Sequence, residues 1–403
     1  MSIKTFAKMT IKNICLIFSV LLFCVSCHQN EQTNKLEEII HINPDDFVNE
    51  VQSGEEWIET MKFIPLETPA GEYIPDDAKT KFRDDYILCG NFVMLLIFSR
   101  EGKFVNSIRS QGKGPEEYAW IFDFDLVPGT DEIVINGERS MVFYGIDGHF
   151  IEKQNIPLRP MGIAAVGENY FAFAPERFRQ GREDSVGKYQ LIITNRQGEI
   201  VERHFEFPYY LLVDSWFEFI RSPNELGNSF VLTYDLNIYE IGPGTELKVR
   251  YTIDFGGLNP DTSFLGDQRV ENDQKVYLFN EGKFIKPWGF AETSNTLLLR
   301  CGSEKHQKVA FRLINRESRN HRTVVMEDPP KLGYYHGWPI YPYLSSSGDY
   351  IYHLLNPISA LELISQLSDD QKEKLANCEG FDKLLNIHED DNPIVVMYKL
   401  KSF

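Results

Sequence analysis

A short strand, polar turn, strand unit returns along most of this 403-residue chain and limits its fold more than any other feature. It reads FSREGKFVNSI from Phe98 to Ile108, YGIDGHFIEKQNI from Tyr144 to Ile156, and TNRQGEIVERHFEF from Thr194 to Phe207. It returns as YEIGPGTELKVRYTI from Tyr239 to Ile253 and, more weakly, as LINRESRNHRTVV from Leu313 to Val325. Gly102, Asp147-Gly148 and Gly198 supply the positive-φ backbone of a tight hairpin turn, which few other residues adopt cheaply. Phe104, Phe150 and Ile200 follow those turns in equivalent places, as the inward positions of a half-buried strand should.

One such hairpin cannot cover its own apolar face. Copies set as blades around an axis bury every face and leave only short, protected edges, so the repeat predicts an all-β propeller. Blades are expected over Asp85 to Ile108, Phe122 to Ile156, Gly162 to Phe207, Ser229 to Phe255 and Trp288 to Met326. A sixth takes Tyr341 to Leu355 and Asn392 to Lys401, and lacks an outer strand. Met61 to Leu66 supplies it, so that the N- and C-terminal strands close one blade. Ile64-Pro65-Leu66 repeats Ile156-Pro157-Leu158, an outer-strand end, which supports that placement. A seven-bladed ring is the competing count. The 29 Phe and 19 Tyr suit a strand-built core.

Pro357 to Ile387 breaks the β pattern. Leu361, Ile364 and Leu367, then Leu375 and Leu384, recur at helical spacing, and Ser368 with Gln371 three residues later resembles a capping box. Two short helices are therefore expected at 358–387 within the last blade, as a packed decoration over one mouth of the ring or as a lid.

The first residues are read separately from the fold. Lys4, Lys8 and Lys12 precede an apolar run from Ile14 to Val25, and Val25-Ser26-Cys27 ends it. This is the pattern of a bacterial lipoprotein signal over 1–26, cleaved before Cys27, whose lipid then anchors the chain to outer-membrane lipid without spanning it. An uncleaved anchor or an ordinary secretory peptide is the competing reading, but the run is shorter than the about 20 residues of a membrane span. Residues 27–56 are expected to form a lipidated tether, and 57–403 the propeller. A cell-envelope location follows, on either side of the outer membrane.

Net charge is −18, and loss of the leader leaves 38 basic against 59 acidic residues. Such a balance argues against a nucleic-acid partner, because no basic stripe is available to neutralise phosphates. Cys89, Cys301 and Cys378 remain in the body, an odd number without CxxC spacing, and read as small buried hydrophobes. No HxH, HExxH or GxSxG pattern occurs, so neither a metal nor a catalytic triad is expected, and no cofactor. A monomer is the expected state.

The run RSQGKGPEEYAWIFDFDL, Arg109 to Leu126, resembles the G-x-G-P-G-E-Y segment after the first blade of six-bladed β-propeller lipoproteins of Gram-negative gut-type bacteria, with NHL-like or TolB-like rings. FIPLETPAGEYI near the start and EDDNPIVVMYKLK near the end resemble the same family in the same order. The resemblance implies fold and export class and no particular reaction; Glu116 stands where the pattern has Gly. Gly112, Gly114, Pro115, Glu117 and Tyr118 read on their own as a sharp crossing between blades with Tyr118 packed beneath it, or as an anion cradle around Lys113. Asp123 and Asp125, two apart on one strand face, could share a cation.

Two segments are the candidates for ligand contact. Tyr334, Tyr335, His336, Trp338 and Tyr341, in GYYHGWPIYPY, combine flat apolar faces with polar tips suited to a glycan or peptide, or serve as blade packing. Arg177, Arg179 and Arg182, in PERFRQGR, could clamp a carboxylate or phosphate, or pair with the chain's own acids. The function expected is a non-enzymatic module binding a glycan, peptide or protein partner. The alternative is a carbohydrate or peptide lyase or hydrolase using channel-facing acids, Arg and Tyr.

Overall fold

The repeat's turns adopt the geometry their glycines imply. Gly102, Gly148 and Gly198 have φ of 85°, 83° and 82°, and in the fourth and fifth copies Thr245 and Arg319 take the same left-handed region at 71° and 65°. Just before the turn, pairing slips by one residue between Ile97 and Phe98, Phe143 and Tyr144, Ile193 and Thr194, and Ile238 and Tyr239. The bulge recurs at one place in the first three blades and two residues farther from the turn in the fourth, which marks them as copies of a single unit. Glycine has a second reason at two of these turns. A Cβ on Gly102 would lie 2.5 Å from the Pro65 carbonyl, and one on Gly198 2.3 Å from that of Asn155, each at the end of a preceding blade's outer strand.

The computed structural model describes residues 38–42, 50–51, 53–75, 78–83, 85–175, 189–206, 219–221, 227–232, 235–259, 269–271, 286–303, 308–325, 332, 334–340 and 345–402. Ile39–Phe403 form one compact unit. The strands β1 (Glu38–His41), β2 (Glu50–Val51) and β3 (Ile58–Pro65) come first in the chain. Blade one is β4 (Lys79–Arg83), β5 (Tyr86–Gly90), β6 (Leu95–Ser99) and β7 (Phe104–Ile108). Blade two is β8 (Asp123–Leu126), β9 (Glu132–Asn136), β10 (Ser140–Gly145) and β11 (Phe150–Asn155). Blade three is β12 (Pro160–Ala165), β13 (Tyr170–Pro175), β14 (Tyr189–Asn195) and β15 (Ile200–Glu206). Blade four is β16 (Ile220–Arg221), β17 (Asn228–Val231), β18 (Asn237–Ile241) and β19 (Leu247–Asp254), with β1 as a fifth strand outside β19. Blade five is β20 (Lys286–Glu292), β21 (Thr296–Ser303), β22 (Lys308–Asn315) and β23 (His321–Val325), with β2 laid parallel outside β23. A two-stranded ribbon, β24 (Tyr334–Tyr335) and β25 (Trp338–Pro339), precedes blade six. That blade is β26 (Ser345–Ser347), β27 (Tyr350–Leu355), β28 (Ile394–Leu400) and, outermost, β3.

The ring is thus six-bladed and closes as the sequence implies, with Ile394 opposite Pro65 and Lys399 opposite Thr60. Asn392, 1% exposed, fastens the closure. Its side chain accepts from the Ile74 amide at 2.8 Å and donates to the carbonyls of Glu67 and Glu72 at 2.9 and 2.8 Å, while its amide donates to Thr68 Oγ1 at 2.7 Å. Sheet pairing begins earlier than the expected start at Trp57, because β1 and β2 lie within the segment read as tether. Residues 1–26 and Cys27 lie outside the described residues.

Apolar side chains gather in six clusters, one in each gap between neighbouring blades. Leu95 and Ile97 of β6 meet Phe124 and Ile133 of blade two, while Leu96 and Phe98 on the opposite face meet Ile64 and Val395 of blade six. With both faces buried, such strands read as unbroken apolar runs. Cys89 and Cys301 belong to these clusters, and burial pushes each thiol up to about 12, so neither supplies a thiolate near neutrality.

Three short helices, where two are expected, fill the connection from β27 to β28: α1 (Pro357–Gln366), α2 (Asp369–Leu375) and α3 (Phe381–Leu384). Ser368 caps α2 through a capping box with Gln371, as its spacing predicts. These helices pack outward. Leu375, Phe381 and Leu384 join Phe63 and Trp338 in the blade five–six cluster, and the Phe63 amide on the outer edge of β3 donates to the Glu379 carbonyl at 2.8 Å. The insertion therefore covers a sheet edge and contributes nothing to the lining of the central cavity, in contrast to the expected position over a mouth.

His353 on β27 is 4% exposed and stacked on Tyr398 at 5.5 Å and 16°. Burial pushes its pKa from 6.5 down to about 3, so the fold holds it neutral while the unfolded chain takes up a proton below pH 6.5. Stability is expected to fall by about 1 kcal/mol per pH unit as pH drops below 6.5 toward 3. Urea melts at pH 7.5 and 5 should show this loss, and His353→Leu should lose less over the same interval than the wild type.

Candidate functional site

The first strand of each blade faces the axis, where its inner edge has no strand partner, and the side chains there must satisfy backbone groups as well as face water. Blade one contributes KTKFR, in which Lys79, Lys81 and Arg83 alternate along β4. Blade two contributes Asp123 and Asp125 on β8 at the same spacing. The two strands match rung by rung. Lys81 Nζ lies 2.9 Å from Asp123 Oδ1 and also donates to the carbonyls of Phe124 and Ile163 at 2.8 and 3.3 Å. Arg83 pairs with Asp125 and donates to the Phe82 carbonyl at 2.8 Å.

The second oxygen of each Asp binds the next blade: Asp123 Oδ2 accepts from the Ile163 amide at 2.9 Å, and Asp125 Oδ2 from that of Ala165 at 3.0 Å. These bonds complete the open edge of β12. Burial works to raise both carboxyls, but Lys79 and Lys81 at Asp123, and Arg83 and Lys81 at Asp125, outweigh it and hold both pKa values below the usual carboxylate range. The pair that the sequence offers as cation ligands is thus engaged by the protein's own cations and amides.

Around this belt lies a cavity of about 300 Å³ lined by β4, Asp123, Arg221 of β16, two serines of β26, and Tyr352, whose hydroxyl donates to the Thr80 carbonyl at 3.3 Å. The cations differ in availability. Lys81 and Arg83 are 14% and 5% exposed, whereas Lys79 is 40% exposed and, among the described residues, meets only the Phe122 carbonyl at 3.4 Å and Asp123 at 3.9 Å. Among the described residues no three His, Cys, Asp or Glu side chains converge as a metal site.

Lys79 also marks a mouth. It pairs with Gly90, which leads straight into the β5–β6 turn, and Phe122 and Arg159 immediately precede the inner strands β8 and β12. This mouth carries exposed aromatic residues: Phe92 is 51% and Trp120 48% exposed, and Phe92 meets Phe122 edge-on at 6.5 Å and 84°. The Arg159 guanidinium lies 5.7 Å from the Phe122 ring centre. The Ile121 amide donates to the Phe92 carbonyl at 2.8 Å and ties the two loops together.

The crossing that precedes Trp120 is structural. Glu117 folds back so that its carboxylate accepts from the Gly114 amide at 2.7 Å, and a Cβ on Gly112 would meet that carboxylate at 1.9 Å. The chain's own acid thus fills the space an anion would need. Tyr118 is fully buried and donates to the carbonyls of Val93 and Ile108 at 2.8 and 3.1 Å. Pro115 lies on the turn between these groups.

The aromatic run near residue 334 is placed elsewhere. Trp338 is fully buried, 5.0 Å from Phe63, and Tyr335 is 8% exposed with its hydroxyl on the Glu59 carbonyl at 3.0 Å. His336 donates its amide to Glu55 Oε1 at 2.7 Å. These three lock the ribbon onto β3 and the turn before it, which leaves Tyr334, at 41% exposure, as the one outward ring among the described residues of this run. Arg177, Arg179, Arg182 and Tyr341 lie outside the described residues.

A family described as a domain of unknown function, DUF4934, matches residues 38–399. Among solved structures, the chain is similar to a Bacteroides fragilis NCTC 9343 protein designated as exported, with 17% identity, 90% of this chain and 99% of that chain covered, and a TM-score of 0.65. It is also similar to a DUF4221 family member from Bacteroides vulgatus ATCC 8482, with 10% identity, 85% and 97% covered, and a TM-score of 0.48. At 17% identity the first of these likenesses concerns fold. No curated protein matches the chain.

Proposed function

Because the chain belongs to the DUF4934 family, whose match spans its whole ring, we propose that it is a non-enzymatic ligand-binding module of the cell envelope, anchored to outer-membrane lipid through Cys27. The observation that carries this reading is the division of labour on β4. Lys81 and Arg83 are consumed in holding the inner strands together, while Lys79 stands at an aromatic mouth with only loose partners. A site of this kind grips a ligand and offers it no nucleophile. None of the described histidines lines the cavity, and the buried thiols are inert. Similarity to an exported protein supports the location.

A second reading, elimination on an acidic polymer, draws on Tyr352 beside Arg83 in the same cavity. It would require turnover that Tyr352→Phe abolishes. The binding reading expects palmitate labelling lost in Cys27→Ser, and capture of a ligand on a glycan array or in a pull-down with the full-length protein. Silence in both binding assays would overturn it.

A further inference from the structure

The mouth beside Lys79 has a composition that narrows its ligand, and the inference drawn from it rests on the binding reading above. We infer that this mouth takes an acidic saccharide, a sugar ring bearing a carboxylate. Trp120 and Phe92 present two large apolar faces to solvent, and the bond from the Ile121 amide to the Phe92 carbonyl fixes the loops that carry them. Aromatic faces carried on loops already tied together suit the flat C–H face of a pyranose.

Cations stand at the margin of those faces. Lys79 Nζ reaches the Phe122 carbonyl, and Arg159, 42% exposed and 3.7 Å from Glu138, lies against the Phe122 ring. In a chain of net charge −18, Arg159 against the Phe122 ring and Lys79 at the Phe122 carbonyl bring two part-exposed cations to one mouth, each close to an acid, Glu138 at 3.7 Å and Asp123 at 3.9 Å. A sugar acid presents a carboxylate and an apolar face on a single rigid ring, which matches both features together. An acidic peptide matches the charge and lacks the flat face, and a neutral sugar matches the face and lacks the charge.

Calorimetric titration of the full-length protein in detergent with hexagalacturonate, its methyl ester, cellohexaose and hexaglutamate tests the proposal. The free acid is expected to bind at least tenfold more tightly than the other three, with tenfold or greater loss in Trp120→Ala and in Lys79→Met. Both positions are exposed enough for the variants to keep the wild-type circular dichroism, and Trp120→Phe should retain part of the affinity. Equal binding of acid and ester, preference for hexaglutamate, or undiminished binding by Trp120→Ala would overturn the saccharide assignment while leaving the binding reading intact. No binding of any probe by the folded protein would overturn both.

Discussion

Asp125→Ala is expected to cost about 3–5 kcal/mol of stability, because it strands the Arg83 guanidinium in a wall where that side chain is 5% exposed. The same change removes the acceptor for the Ala165 amide, so β12 loses one of the two amide bonds it makes to blade-two carboxylates. Urea denaturation should show the full loss at pH 7. The Arg83→Met, Asp125→Leu double variant should recover most of it, since no charge is then left buried alone. A pairing without structural weight would leave the single variant within about 0.5 kcal/mol of wild type. Asp125 has a depressed pKa, so the stability it contributes is present above the ordinary carboxyl value of 3.8 and is lost as pH falls through the lower folded value. This acid loss lies at lower pH than the onset of the loss from His353.

Trp338→Ala is expected to cost a similar amount, about 3–5 kcal/mol, by emptying the centre of the blade five–six cluster. The indole sits edge-on to Phe63, itself 5.7 Å from Phe381, so the cavity would undermine both β3 and the helical insertion that covers it. Trp338→Phe, which keeps most of the volume, should cost less than half as much. Tyr334→Ala, four positions earlier and exposed, should change stability by no more than about 0.5 kcal/mol. Equal effects at the two positions would contradict the placement of the run on the perimeter.

The architecture was legible because its signal is repeated. The turn glycines, the apolar runs of the middle strands and the Ile-Pro-Leu echo all report positions where burial or backbone strain leaves little choice of residue. The inner strands were the part least visible. KTKFR on β4 and Ile220–Arg221 on β16 carry charge where a strand signal calls for apolar alternation, since they face the axis. The expected first blade accordingly begins at Asp85, after β4, and the residues passed over are among those that line the cavity. Trp120 lies within the quoted crossing segment, and its exposure depends on how that crossing folds over Tyr118, which local spacing does not encode. The aromatic cluster at 334–338 misled for the converse reason: composition suits a binding face and a packed edge equally, and only tertiary contact separates them.

Ring closure brings a consequence for how such a chain is made. β3 finds its partner in β28, and the bonds around Asn392 join positions 318 to 325 residues apart. Contacts of such sequence separation form late, because the loop entropy is lost before the pairing returns it. A chain emerging N-terminus first must therefore keep Ile58–Pro65 unpaired until its last strand has arrived, exposing an apolar edge to proteases and to other chains for most of its synthesis. β28 acts as the latch, and until it engages, the five blades before it form an open arc.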